Sequence, residues 1–233
     1  MFMKFLETAN FDWIELLNFY ERPFRAKLNP SKIWKDLDRY RNDARGLSNY
    51  FKKWRTKLVF KPCPKKSWAP HIGVGGEYDP DTRQCILDIY ALDFNNHKFT
   101  DLSWRRFKYK LMQTHMHEMI HFMQFDCRED RWSRYVLRYK KADTRRQTME
   151  RHYLSCFDEV QAYAHCVYLD YKMKRPNMEI EDLLARCINS KRDSDTMHYI
   201  LKTFNYDMAN NNAPRKLIDQ IVKWDRKYKR VTK

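Results

Sequence analysis

LMQTHMHEMIHFMQF, residues 111–125, contains a single formally charged side chain, Glu118. A run this long and this apolar predicts a helix buried on most of its sides. Thr100 to Ser103 supplies a start signal, so the helix is expected to run through Trp104, Phe107 and Leu111 to about Phe125. Within it lies His117-Glu118-Met119-Ile120-His121. Residues four apart share a helix face with Cβ atoms about 5–6 Å apart, so His117 and His121 can offer ring nitrogens to one metal ion. Glu118, about 100° round the helix, points beside such an ion, where a general base for water is needed. The alternative is a structural His/Glu cluster. A carboxylate in an apolar helix is costly to bury unless paired, protonated or near a metal, and this favours the metal.

Before this helix, His71 to Tyr78, the turn Asp79-Pro80-Asp81-Thr82 and Arg83 to Phe94 read as an antiparallel hairpin. Gly73, Gly75 and Gly76 imply a bulge or close backbone approach in its first strand. Lys61 to Pro70, KPCPKKSWAP, is read as a connector. Phe5 to Phe19 has helical spacing, and Ser31 can cap a second helix carrying Ile33, Trp34 and Leu37. Beyond the motif, residues 126–151 turn strongly basic. Arg131, Arg134 and Arg138 interleave there with Trp132, Tyr135 and Tyr139, which reads as a solvated helix or as a surface for nucleic acid. A further apolar helix is expected from about Tyr153 to Met173, ended by Pro176. Ile180 to Ile188, Thr196 to Phe204 and Leu217 to Trp224 then complete the core.

A zinc site that performs chemistry needs a third protein ligand. In the Tyr153–Met173 helix, Phe157, Val160, Ala164, Val167 and Tyr171 form the core stripe, and Glu159 lies off it. From Glu159 to Leu169 no other side chain carries a formal charge, which makes Glu159 the preferred ligand. His152 and His165 remain as alternatives. His115, about 200° from His117, is read as a packing residue, and His71, His97 and His198 belong to no motif.

At 233 residues, with 43% hydrophobic side chains and only 4 Gly, the chain is expected to form one domain, 1–233. Within it, 1–70 supply packing helices, 71–175 a core and 176–233 terminal helices. A net charge of +16 favours polyanions or acidic partners without proving either. The 6 cysteines form no C-x-x-C pair and read as reduced thiols of a cytoplasmic protein. No apolar run is long enough to span a membrane.

The HEMIH helix, the preceding hairpin and the later D-E-V-Q-A-Y-A pattern at 158–164 together resemble the glutamate-ligand zincin metallopeptidases, particularly small ones encoded by bacteriophages. The resemblance covers roughly residues 72–171. It implies an α+β fold, mostly helical, with a small antiparallel sheet or hairpin beside the H-E-x-x-H helix. It also implies zinc held by His117, His121 and Glu159, Glu118 as base, and a peptide or protein substrate lying along an edge strand, here Arg83 to Tyr90. An oxyanion is then stabilised by Tyr153, His152, Tyr163 or His165. Gln124 and Cys127 stand where the longer metzincin motif has Gly and His. SprT-like DNA-repair proteases use a third histidine, which His152 or His165 would provide; the second expectation is a nucleic-acid-binding protein, or a protease of that kind recruited to DNA, with a structural or secondary metal site.

Overall fold

The computed structural model describes residues 30–62, 72–91, 93–126, 128, 134–174, 178–190 and 194–231. The chain divides into two compact units, Met1–Arg41 and Asn42–Lys233. In the first, helix α1 (Pro30–Asp36) continues into a 3-10 turn (Leu37–Tyr40), with Ile33 and Leu37 buried. This helix begins at Pro30, one residue before the expected cap, consistent with proline's preset φ at a first helical position. The helix expected over Phe5 to Phe19 lies outside the described residues, as does most of the 61–70 connector.

In the second unit, α2 (Ala44–Lys52) starts at Asp43, whose side chain accepts from the Gly46 amide at 2.8 Å. Arg55, at φ 54°, reverses the chain into β1 (Thr56–Lys61). Strands β2 (Gly73–Asp79) and β3 (Gln84–Tyr90) form the expected hairpin, paired from Gly73 with Tyr90 to Asp79 with Gln84. Asp79 closes its turn by accepting from the Asp81 amide at 2.9 Å and from the Thr82 hydroxyl at 2.6 Å. The sheet is nevertheless mixed rather than purely antiparallel. Strand β1 pairs in parallel with β3, Thr56 beside Cys85 and Lys61 beside Tyr90, giving the order β1-β3-β2. Arg83 to Tyr90 is therefore central, with its backbone committed on both sides, and cannot be the edge that receives a substrate. The edge beside the motif helix is β2.

Helix α3 (Asp101–Asp126) is the expected motif helix, started by Thr100, whose hydroxyl accepts from the Ser103 amide at 3.1 Å. It lies across β2 and β3. Alternation in β3 puts Cys85, Leu87 and Ile89 on the covered face, and Cys85 Sγ meets Met119 Sδ at 3.6 Å. Tyr78 of β2 sits edge-on to Phe122, ring centroids 5.7 Å apart. The sheet covers one side of α3 and α5 (Phe157–Lys174) covers another, which explains a helix with apolar residues nearly all round.

The helix expected from Tyr153 is broken. Helix α4 (Arg145–Leu154) arises inside the charged stretch, capped by Thr144, and α5 begins only at Phe157. Between them the backbone is captured by the preceding segment: the Leu137 amide donates to Ser155 O at 2.8 Å and the Phe157 amide to Tyr135 O at 3.1 Å. The described part of the basic connector, residues 134–143, is accordingly not helical, and Arg131 and Trp132 lie outside the described residues. Arg151 ties α4 down through bonds to Thr203 O at 2.8 Å and Lys140 O at 2.9 Å. Helices α6 (Ile180–Ser190), α7 (Asp195–Thr203) and α8 (Asn212–Val231) then close a core around Val160, Ala164, Val167 and Tyr171 of α5, four of the five residues of the expected stripe; Phe157 is only partly buried. The result is a mostly helical α+β fold. Among the described residues, no helix is long and apolar enough to cross a membrane.

Candidate metal centre

Helices α3 and α5 pack so that His117 and His121 face Glu159 in the first turn of α5. His117 Nε2 lies 3.3 Å from Glu159 Oε2, His121 Nε2 lies 3.3 Å from Oε1, and the two Nε2 atoms are 3.1 Å apart. Bonds of about 2.0–2.1 Å at tetrahedral angles place ligand atoms roughly 3.3–3.4 Å apart, so this spacing suits one ion. Among the described residues, these three, the two histidines buried and Glu159 partly so, form a group able to hold a metal ion.

Hydrogen bonding decides which electron pairs face the centre. The amide nitrogen of Gln124 donates to Asp158 O at 3.0 Å and to Gln161 Oε1 at 3.1 Å. That orientation leaves Gln124 Oε1 against His121 Nδ1 at 2.8 Å, which must carry the hydrogen. On the other ring, His117 Nδ1 faces Cys166 Sγ at 3.8 Å, and this sulfur lies 3.6 Å from Gln113 O, the acceptor for its proton. Both Nε2 lone pairs then point at a carboxylate whose buried Oε2 accepts no hydrogen bond. Two imidazole nitrogens and two carboxylate oxygens at such distances repel unless a cation lies among them, so the donor set fits a metal. Without metal, a proton serves. Burial acts to lower the His121 pKa, but the Glu159 carboxylate outweighs it and holds that ring up at about 9. For His117 burial prevails and the pKa is lowered. Burial also opposes ionisation of Glu159, yet the two imidazoles hold its carboxyl at about 2.

Glu118 packs against β2. A Cβ on Gly76 would lie 2.6 Å from Thr114 Cγ2, 2.9 Å from Glu118 Cγ and 3.0 Å from Glu118 Oε1. The glycine is thus required by space, and the edge strand runs directly against Glu118. Burial pushes the Glu118 pKa up to about 7; His121 draws it down, while Glu159 and Glu77 add to the rise.

The remaining positions separate cleanly. Tyr163, one turn after Glu159, places its ring 4.6 Å from the His117 ring. Tyr153, at the end of α4, is half exposed, and its hydroxyl interacts with Glu159 and Tyr163; burial of that hydroxyl, then these neighbours, raises its pKa well above the usual range. His152 is turned outward, its Nδ1 3.1 Å from Tyr139 Oη. His165 packs against Trp224, ring centroids 4.8 Å apart, and burial lowers its pKa to about 4. Neither joins the His117, His121 and Glu159 group that could hold a metal ion. His115 is a packing residue as expected, edge-on to Phe51 and bonded to Thr56 Oγ1 at 3.0 Å. Gln124, Gln161 and Cys166 were not anticipated. The signal for Gln124 was available: an amide three residues after His121 in an otherwise apolar run. No family model matches the chain, and neither a curated protein nor a solved structure matches it.

Proposed function

We propose that this protein is a zinc-dependent peptidase with His117, His121 and Glu159 as ligands and Glu118 as general base. The observation that carries the reading is the convergence of three lone-pair donors at tetrahedral spacing, with a second buried carboxylate held between them and an open strand edge. When bound, zinc would supply a Lewis acid that polarises a carbonyl and brings the pKa of water to about 7. Glu118 takes the proton from the attacking water on its carboxylate and passes it to the departing amine. A carboxyl balanced near neutrality by burial suits both transfers. Tyr153, whose hydroxyl interacts with Glu159, would donate a hydrogen bond to the developing oxyanion, and β2, an edge strand among the described residues, would offer main-chain groups to an extended peptide.

The test is metal analysis of protein purified without chelator, together with hydrolysis of an unstructured protein such as casein. Wild type should carry about one zinc and cleave. Glu118→Gln should carry zinc and not cleave. Wild type that binds no zinc would overturn the reading. A second reading, recruitment to nucleic acid, is favoured by exposed Arg134, Tyr135 and Arg138 in the extended segment before α4.

A further inference from the structure

We infer that Gln124 is the positioning residue of this centre: one side-chain amide sets the tautomer of His121 and fastens the helix bearing the two histidines to the helix bearing Glu159. The inference rests on the metal-centre reading above. Gln124 is fully buried. Its carbonyl oxygen accepts from His121 Nδ1 at 2.8 Å. Its nitrogen donates to the main-chain carbonyl of Asp158, the residue preceding Glu159, at 3.0 Å and to the Gln161 side chain at 3.1 Å.

These bonds are mutually dependent. A flipped amide would set its oxygen against Asp158 O and Gln161 Oε1 and its nitrogen against the hydrogen on His121 Nδ1. Two bonds on α5 thereby dictate which atom α3 presents to His121, and His121 is left with its Nε2 lone pair aimed at Glu159 Oε1, 3.3 Å away. Asp158 is itself held by Arg128, whose Nη1 donates to Oδ2 at 2.6 Å, so the carbonyl that anchors Gln124 belongs to a fixed first turn of α5. Outer partners of metal-bound histidines orient the ring and raise its basicity, and their loss weakens metal binding by about 10–100-fold. Here the partner comes from the same helix, three residues on, and also spans to the third ligand's helix. Any loss therefore affects two ligands together.

The test compares wild type, Gln124→Met and Gln124→Glu by competition titration of Zn2+ against a chromophoric chelator, by the visible spectrum of the Co2+-loaded protein, and by melting of the metal-free forms. Methionine keeps the volume and removes both the acceptor and the donors. Glutamate keeps an acceptor for His121 Nδ1 and loses the donors. We expect Gln124→Met to bind Zn2+ about 10–100-fold more weakly with an altered Co2+ spectrum, and Gln124→Glu to fall between it and wild type. Should Gln124→Met fail to fold, the Glu variant still decides: wild-type affinity and spectrum would overturn the inference. So would a Met variant that melts lower when metal-free yet binds Zn2+ as wild type does, since the residue would then only hold helices together. Two variants equally weak would show that the His121 contact is irrelevant and would also overturn it. Wild type that binds neither Zn2+ nor Co2+ would instead remove the metal centre itself.

Discussion

Gly76→Ala tests the closeness of β2 to Glu118, because its sign should oppose the usual effect of the substitution. Among the described residues no glycine has positive φ, so alanine is compatible with the backbone at both Gly75 and Gly76. At such positions Gly→Ala ordinarily stabilises by about 0.4–1 kcal/mol, through the unfolded chain. At Gly75 the new methyl would meet Tyr90 Cε2 at 3.4 Å, an ordinary contact, so Gly75→Ala should be neutral or gain within that range. At Gly76 the methyl would stand 2.6 Å from Thr114 Cγ2 and 2.9 Å from Glu118 Cγ, on a helix pinned from behind by α5. Overpacking of this kind costs about 1–3 kcal/mol, leaving a net loss of roughly 1–2 kcal/mol. For a unit this size that is a fall in Tm of about 2–8 °C. Urea denaturation of both single variants would measure the difference. Thr114→Ser removes the nearest methyl, so the Gly76→Ala/Thr114→Ser pair should recover at least about 0.5 kcal/mol through coupling. Because Glu118 is the other neighbour, the folded variant should also lose hydrolytic rate. Gly76→Ala as stable as Gly75→Ala would refute the packing described here.

Other outcomes follow from the electrostatics and the charge pattern. Zinc binding at pH 7.5 should release about one proton, the one held on His121 by Glu159, measured by calorimetry in buffers of different ionisation enthalpy; zero release would contradict the assignment. The raised His121 pKa gives the metal-free protein stability that is complete below pH 6.5 and lost as pH rises through about 9, so its Tm should fall across that window, and Glu159→Gln should flatten the fall. Glu159→Gln should also weaken zinc binding, whereas His152→Ala and His165→Ala should leave the zinc content unchanged; the reverse pattern would return the third ligand to a histidine. If the segment before α4 tracks a nucleic-acid backbone, replacing Arg134 and Arg138 with Gln should flatten the salt dependence by about 0.7–0.9 in log–log slope per lost contact, and no binding at low salt would end that reading.

The legible parts of this molecule were those where one kind of residue stands out against its surroundings. Glu118 and Glu159 are lone charges in apolar stretches, and the structure treats them differently: the two imidazoles compensate Glu159, whereas burial and the neighbouring carboxylates leave Glu118 with a raised pKa. The β2–β3 hairpin was legible because Asp79 and Thr82 build a turn from local bonds. Strand β1 was missed for the opposite reason. Thr56 to Lys61 is short, with both ends polar, and what makes it a strand is its parallel partner 29 residues later in the chain, Thr56 with Cys85, which no local pattern reveals. That one omission changed the reading of the site, since it moved the sheet's edge from β3 to β2.

The break between α4 and α5 has a comparable origin and a larger consequence. Helical spacing continues through Leu154 and Phe157, so a sequence pattern carries a helix across Ser155 and Cys156. Backbone groups of Tyr135 and Leu137, distant in sequence, take Ser155 O and the Phe157 amide instead. A continuous helix would have carried Tyr153, six residues before Glu159, about 600° round the same axis and so well away from it in direction. The break lets α4 turn, and the Tyr153 hydroxyl reaches Glu159 from outside the helix that bears it. The unit that places a phenol beside the third ligand is therefore a pair of main-chain bonds from the basic connector, a segment whose composition gives no sign of bearing on the site. If that connection governs the site, Leu137→Pro should displace Tyr153: proline at 137 removes the amide that donates to Ser155 O. Hydrolysis should then fall while zinc content, set by α3 and the first turn of α5, stays near one per chain; loss of zinc in step with activity would show that the connector holds the whole centre together and that Tyr153 has no separate part in it.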